Sequence, residues 1–254
     1  MKVAWFIFYS LVLYAGYSNA QIKTLDFQRP LKESVLPVVE KNKLLNEHDF
    51  SKLFTLTDNS IVYGFIGSNY QRIRVKFIRI SKKPDSNQIY IIYGKSMVKN
   101  TIDEFNGSIK ISSIHLLIKN QHGCEDGYKY KGMKGEYSIF GEYTFAENSN
   151  EPHSGVFKGI FRSDFFINKA GDVVYDDIEG CADGYTNNQF VGEWVSYKND
   201  IAKTCNWGDY RIPNSGNFDI GAGDFSPDDK YLKYGWQSVR DYSKQIEEAK
   251  WWKN

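Results

Sequence analysis

Between Gly135 and Ile178 apolar and polar residues alternate. Tyr137, Ile139, Tyr143 and Phe145 share one face with Gly141, and Phe157, Phe161 and Phe165 repeat that face with Gly159 and Ser163 between them. Glu136, Glu142, Lys158, Arg162 and Asp164 occupy the positions in between. Successive side chains of a strand point to opposite faces, so the pattern predicts a hairpin with an aromatic face and a charged face. A third strand, Val173 to Ile178, follows the turn at Ala170-Gly171-Asp172.

The same period runs through the upstream half. Ile61 to Ile66 is apolar, and Tyr70 to Ile80 places Ile73, Val75 and Phe77 opposite Arg72, Arg74 and Lys76. Gln88 to Val98 and Phe105 to Leu117 continue it, the latter with Ile109, Ile111 and His115 on one face and Lys110 and Ser112 on the other. Gln189 to Tyr197 is a further strand, in which Gly192-Glu193-Trp194 resembles the Gly-x-Trp of lipocalin-like barrels. In lipocalins that motif lies on the first strand, so no lipocalin residue roles transfer. The basic stripe Arg72-Arg74-Lys76 reads as a solvated or edge-protecting face.

Two regions break the period. Gln21 to Leu45 is a lead-in interrupted by Pro30 and Pro37, followed by a helical turn or two with Asn46 as cap and Phe50, Leu53 and Phe54 facing inward. Beyond Asp224, Ser226 and Pro227 open a short helix that ends at Gly235. Trp236, Val239, Tyr242, Ile246, Ala249 and Trp252 then recur at helical spacing, predicting an amphipathic helix that packs over an open barrel end or a sheet edge. The expected fold is therefore mainly β: an antiparallel, lipocalin-like barrel or strongly coiled sheet of roughly eight to ten strands, with a C-terminal amphipathic helix. Gly94, Gly141, Gly159 and Gly192 permit the coiling that closure needs.

Composition adds an address and removes some partners. Residues 1–20 combine Lys2, an apolar run and the small residues Ser18-Asn19-Ala20, the pattern of a cleaved signal peptide. Residues 21–60 are then the lead-in, and 61–254 one β domain with its C-terminal helices. Without Lys2 the 32 basic residues fall to 31 and balance the 31 acidic ones. Such a chain has no global field for nucleic acid, and no later apolar run is long enough for a transmembrane helix. The protein is expected to be exported, either secreted or periplasmic. Of Cys124, Cys181 and Cys205, one pair bridges and one stays free, or all stay reduced.

Candidate chemistry concentrates in Cys205 to Asp224. Trp207, Asp209, Tyr210 and Arg211 place an indole, a carboxylate, a phenol and a guanidinium together, types that local periodicity does not demand. They are the candidate ligand-binding residues, set against a loop in which Trp207 plugs the barrel while Asp209 and Arg211 satisfy buried groups. Asp219 and Asp224 offer hard oxygens between glycines, but the Asp-x-Asp-x-Asp-Gly order of a calcium loop is missing, and no metal or cofactor is assigned. His48, His115, His122 and His153 lack metal spacing, and there is no Gly-x-Ser-x-Gly elbow.

The stretches Val62 to Phe77, Tyr93-Gly-Lys-Ser-Met-Val-Lys-Asn100, Phe190-Val-Gly-Glu-Trp-Val-Ser-Tyr197 and Cys205 to Asp224 carry one wider likeness. Through them most of the mature chain resembles a group of uncharacterised exported proteins of Bacteroidetes bacteria. That resemblance implies export and no particular activity. The residues themselves suggest a non-enzymatic binding protein holding a small ligand, glycan or protein at the barrel mouth by aromatics. The alternatives are a hydrolase assembled only in three dimensions, drawing on His122, His153, Asp209 or Asp219, and a structural or interaction protein of the cell envelope.

Overall fold

The computed structural model describes Phe27, residues 33–118 and residues 132–253. The signal segment, His122 and Cys124 lie outside those residues. Among the described residues ten antiparallel strands make one sheet: β1 (Glu33–Val35), β2 (Val62–Ile66), β3 (Gln71–Lys82), β4 (Ile89–Val98), β5 (Thr101–Leu117), β6 (Gly135–Glu147), β7 (Gly155–Ile167), β8 (Val173–Tyr175), β9 (Asn187–Ser196) and β10 (Ala202–Asp209). Eight of them close a ring in the order β2-β3-β4-β5-β6-β7-β9-β10, with β1 added to β5 and β8 to β7. The expected mainly-β, closed antiparallel fold is present.

Alternation fills the ring. Ile73, Val75, Phe77, Phe105, Phe145, Phe157, Phe161, Phe190 and Trp207 belong to one buried cluster inside it. At the β7–β9 contact Gly159 faces Gly192, and the Tyr143 hydroxyl lies above both. A Cβ at Gly192 would come within 2.2 Å of the Lys158 carbonyl oxygen and 2.6 Å of that hydroxyl. Only a bare backbone allows so close an approach.

The lead-in does more than its weak pattern suggests. α1 (Val38–Glu47) starts directly after Pro37 and is followed by α2 (Lys52–Thr55). Asn46, the expected cap, lies inside α1 instead. Leu45, Phe50, Leu53 and Phe54 enter the barrel cluster and close the end where β2 starts and β10 stops. The plug is bolted to the wall by polar bonds: the Tyr90 hydroxyl accepts from the Phe50 amide at 3.1 Å, and the Lys82 ammonium donates to the carbonyls of Leu45 and His48.

The C-terminal stretch corrects two expectations. In place of one long helix there are a 3-10 turn (Asp229–Tyr234), capped by Asp228 rather than Ser226, then α3 (Gln237–Arg240), α4 (Lys244–Glu247) and a last turn at Trp251–Lys253. Tyr242, with φ 50°, breaks the helix between α3 and α4, and it is exposed. These pieces cover the outer wall of β2 and β3, not a barrel end. Phe65, Ile212, Phe218, Phe225, Trp236 and Val239 form a second buried cluster there.

The basic stripe is consequently no solvated face. Arg72 is buried beneath the C-terminal pieces and donates to both Glu247 carboxylate oxygens, one of them at 2.9 Å. Arg74 reaches the same carboxylate at 3.2 Å, and Lys76 lies over the Trp252 ring. A charged strand face with no sequence-local partner had found one from residues far along the chain.

Candidate functional site

Cys205 to Asp209, read as loop, is the inner half of β10. Trp207 points into the barrel, stacked on Phe190, and Asp209 follows it inward across a bulge in the β9 pairing. Asp209 Oδ2 accepts from the Tyr175 hydroxyl at 3.0 Å, from Asn188 Nδ2 at 2.8 Å and from Thr57 Oγ1 at 3.3 Å. Asn188 also donates to the Leu53 carbonyl at 2.9 Å, and Lys76 donates to the Thr57 carbonyl at 3.0 Å. Thr57 follows α2, so the carboxylate ties the plug to β8, β9 and β10. Burial lifts its pKa to about 7, against the three donors and Lys76, which pull it down.

The other nominated residues separate from this network. Tyr210 has φ 65° and packs against Tyr185, their centroids 4.9 Å apart. Arg211 turns to the outer wall, donating to Asp219 Oδ2 at 2.6 Å and to the Gly221 and Ala222 carbonyls at 3.1 Å each. Asp219 Oδ1 accepts from the Gly221 and Ser226 amides, so the cation it serves is the Arg211 guanidinium. Asp224 is exposed. Among the described residues no group of three or more His, Cys, Asp or Glu is placed to hold a metal ion. The hydrolase set drawn from the sequence is dispersed as well: His153 lies in the β6–β7 turn, Asp209 inside the plugged end, and Asp219 on the outer wall.

A different set converges on the outer face of β5, β6 and β7. The alternation expected His115 on the Ile109–Ile111 face. A bulge between Ile111 and Ser113 shifts the register, so that Ile114 points inward and Ser113 and His115 outward. β1 then lies beside them, with Val35 opposite His115 and Glu33 opposite Leu117. Ser113 Oγ is 3.0 Å from His115 Nε2, and His115 Nδ1 is 3.2 Å from Glu33 Oε1. The imidazole lies on Phe140 at 4.4 Å.

Behind this row Glu136, Arg162 and Asp164 of the hairpin's charged face are buried, while Glu142 and Lys158 stay exposed. Arg162 Nε donates to Asp164 Oδ1 at 2.9 Å, and its Nη2 donates to Ser138 Oγ at 3.0 Å and stands 3.8 Å from Glu33 Oε2. Sequence reasoning missed Glu33 and Ser113 entirely. The one signal available was Ser113-x-His115, two positions apart on a strand and hence able to share a face.

No protein-family profile, curated protein or solved structure matches the chain. Among the described residues no helix is long and apolar enough to cross a membrane.

Proposed function

We propose that this is an exported barrel protein that works by binding, and that its ligand meets the outside of the wall. The observation that carries this reading is the packing of the interior. Phe54, Phe161, Phe190 and Trp207 run in succession from the plug toward the middle, with neighbouring centroids 4.7 to 5.7 Å apart. Side chains at that spacing are in contact, so this stretch of the interior is occupied by the protein's own rings, which favours a ligand on the outside over one held by aromatics at the barrel mouth.

Outside, the segment leading into the plug presents Val35, Val38 and Val39 at 61, 67 and 80% exposure. Three aliphatic side chains close together in sequence suit an apolar acyl chain better than a hydroxyl-rich glycan. Calorimetric titration with octanoate and decanoate tests the reading. Binding is expected that Val38→Asp with Val39→Asp abolishes while the melting temperature holds. A ligand that quenches the buried Trp207 fluorescence and is indifferent to those substitutions places binding in the interior and overturns it.

A further inference from the structure

We infer that Ser113, His115 and Glu33 form a hydrolytic site for acyl esters on the outer wall of the barrel. This goes beyond binding, because the three side chains stand in the order a nucleophile, a base and an orienting acid require. Glu33 Oε1, beside His115 Nδ1, sets the tautomer: a proton on Nδ1 is held by the carboxylate, and Nε2 is left as an acceptor. The Ser113 hydroxyl is the group that faces this acceptor, at 3.0 Å. Had the two ring nitrogens been exchanged, the base would be turned away from the nucleophile.

The surroundings hold this geometry in place. Ser113 and His115 sit on a long central strand, and Glu33 on a strand paired with it, so backbone hydrogen bonds fix all three. Phe140 supports the imidazole from one side. Glu33 Oε2 is buried with no hydrogen-bond partner among the described residues and faces the buried Arg162 guanidinium at 3.8 Å. That guanidinium is a positioning group: it holds the second carboxylate oxygen inward while the first meets His115. The bulge that turns Ser113 and His115 outward is the kind of irregularity found where a strand must re-aim side chains. Ser113 and His115 are half-buried, neither sealed in the core nor fully solvated.

The chemistry needs only water as co-reactant. Ser113 Oγ bonds to the ester carbonyl carbon as its proton passes to His115 Nε2. The carbon–oxygen bond to the alcohol breaks, and the alcohol leaves with that proton. Water then attacks the acyl-serine, giving one proton to Nε2. The Ser113–acyl bond breaks, Oγ recovers the proton and the carboxylic acid departs. Glu33 accepts the Nδ1–H throughout and stabilises the imidazolium formed in each half. Val35, exposed and directly opposite His115, gives the site an aliphatic neighbour, with Val38 and Val39 following within four residues in the chain, which suits an aliphatic acyl group. That substrate class rests on the acyl-chain reading above; the three catalytic side chains do not.

A fluorophosphonate probe, which phosphonylates an activated serine with loss of fluoride, tests the site on the full chain. One adduct is expected, mapping to Ser113 by peptide mass spectrometry, together with hydrolysis of p-nitrophenyl octanoate. Ser113→Ala should abolish both, and His115→Gln should slow both by at least about 100-fold, the usual share of a general base. Glu33→Gln should lower kcat with KM unchanged in protein of unaltered melting temperature, a split that a merely structural residue would not give. Equal labelling of wild type and Ser113→Ala, an adduct on another serine, or no adduct at all overturns the inference. Ser113→Ala removes only a half-buried hydroxyl, so its fold is secure even if His115→Gln unfolds. Octanoate binding that persists without labelling removes the catalytic inference alone, and labelling without octanoate binding removes the acyl-chain reading alone.

Discussion

Trp207 and Phe190 lie face to face inside the barrel, their centroids 4.7 Å apart and their planes 9° from parallel. Tyr143 meets the same indole edge-on at 5.2 Å. Trp207→Ala should therefore destabilise the protein by about 3–5 kcal/mol, the usual cost of deleting a large buried ring. Chemical denaturation checks this. An unchanged midpoint would mean that the indole serves a ligand and not the core.

Asp209 predicts a pH dependence of opposite sense to an ordinary salt-bridged carboxylate. Its folded pKa of about 7 lies above the usual 3.8, so the folded state favours the protonated form. The resulting stability is fully present below about pH 4 and is lost as pH rises toward 7, on the order of 4 kcal/mol in all. Asp209→Asn keeps a neutral side chain in place and should flatten that slope. Denaturation midpoints between pH 4 and 8 decide it: an identical slope in the variant would assign the titration elsewhere.

Glu247 predicts the reverse at the outer wall. Burial raises its pKa, but hydrogen bonds and charge from Arg72, with Ser238 and Arg74, outweigh burial and leave it below the ordinary value. The stability it gives is present above the unfolded pKa and lost as pH falls through the lower folded one. Glu247→Ala should cost about 3–5 kcal/mol, since it strands the buried Arg72. Limited proteolysis should then cut between residues 236 and 250 in the variant first. Equal resistance in both proteins would show that the second aromatic cluster holds the segment unaided.

The cysteines separate by environment. Cys181 is disulfide-bonded, whereas Cys205 is free and fully buried in the barrel cluster. Burial raises the Cys205 thiol far above its ordinary range, and the thiolate is the reactive form. Native protein should therefore resist iodoacetamide and take up one label only on unfolding. Rapid labelling of Cys205 in the folded state would contradict its placement.

Strand period made most of the ring legible. Phe157, Phe161 and Phe165 announce β7, and Ile73, Val75 and Phe77 announce β3, because each strand has one wet or charged face against one dry one. β10 was hidden because its outward positions, Asn206 and Gly208, are small or polar yet covered. Asn206 Nδ2 donates to the Pro213 carbonyl at 3.1 Å, a contact made by the chain that follows the strand. His115 was assigned to the wrong face because one extra residue at a bulge inverts every later position and leaves no compositional mark. The partnership of Glu33 with His115 joins residues on separate strands, beyond the reach of any local pattern.

Ring closure has a temporal consequence. The seam joins Ile66 on β2 to Cys205 on β10, so one strand of the pair leaves the ribosome long before the other. Until then β2 has a bare edge, with Phe65 and Ile66 lacking the neighbours that finally cover them. Pairings this distant along the chain form slowly, and an open apolar edge is the hazard during the wait. The seam is then the natural last step of folding, and a chain stopped short of β10 would remain an open sheet that holdase chaperones should recognise.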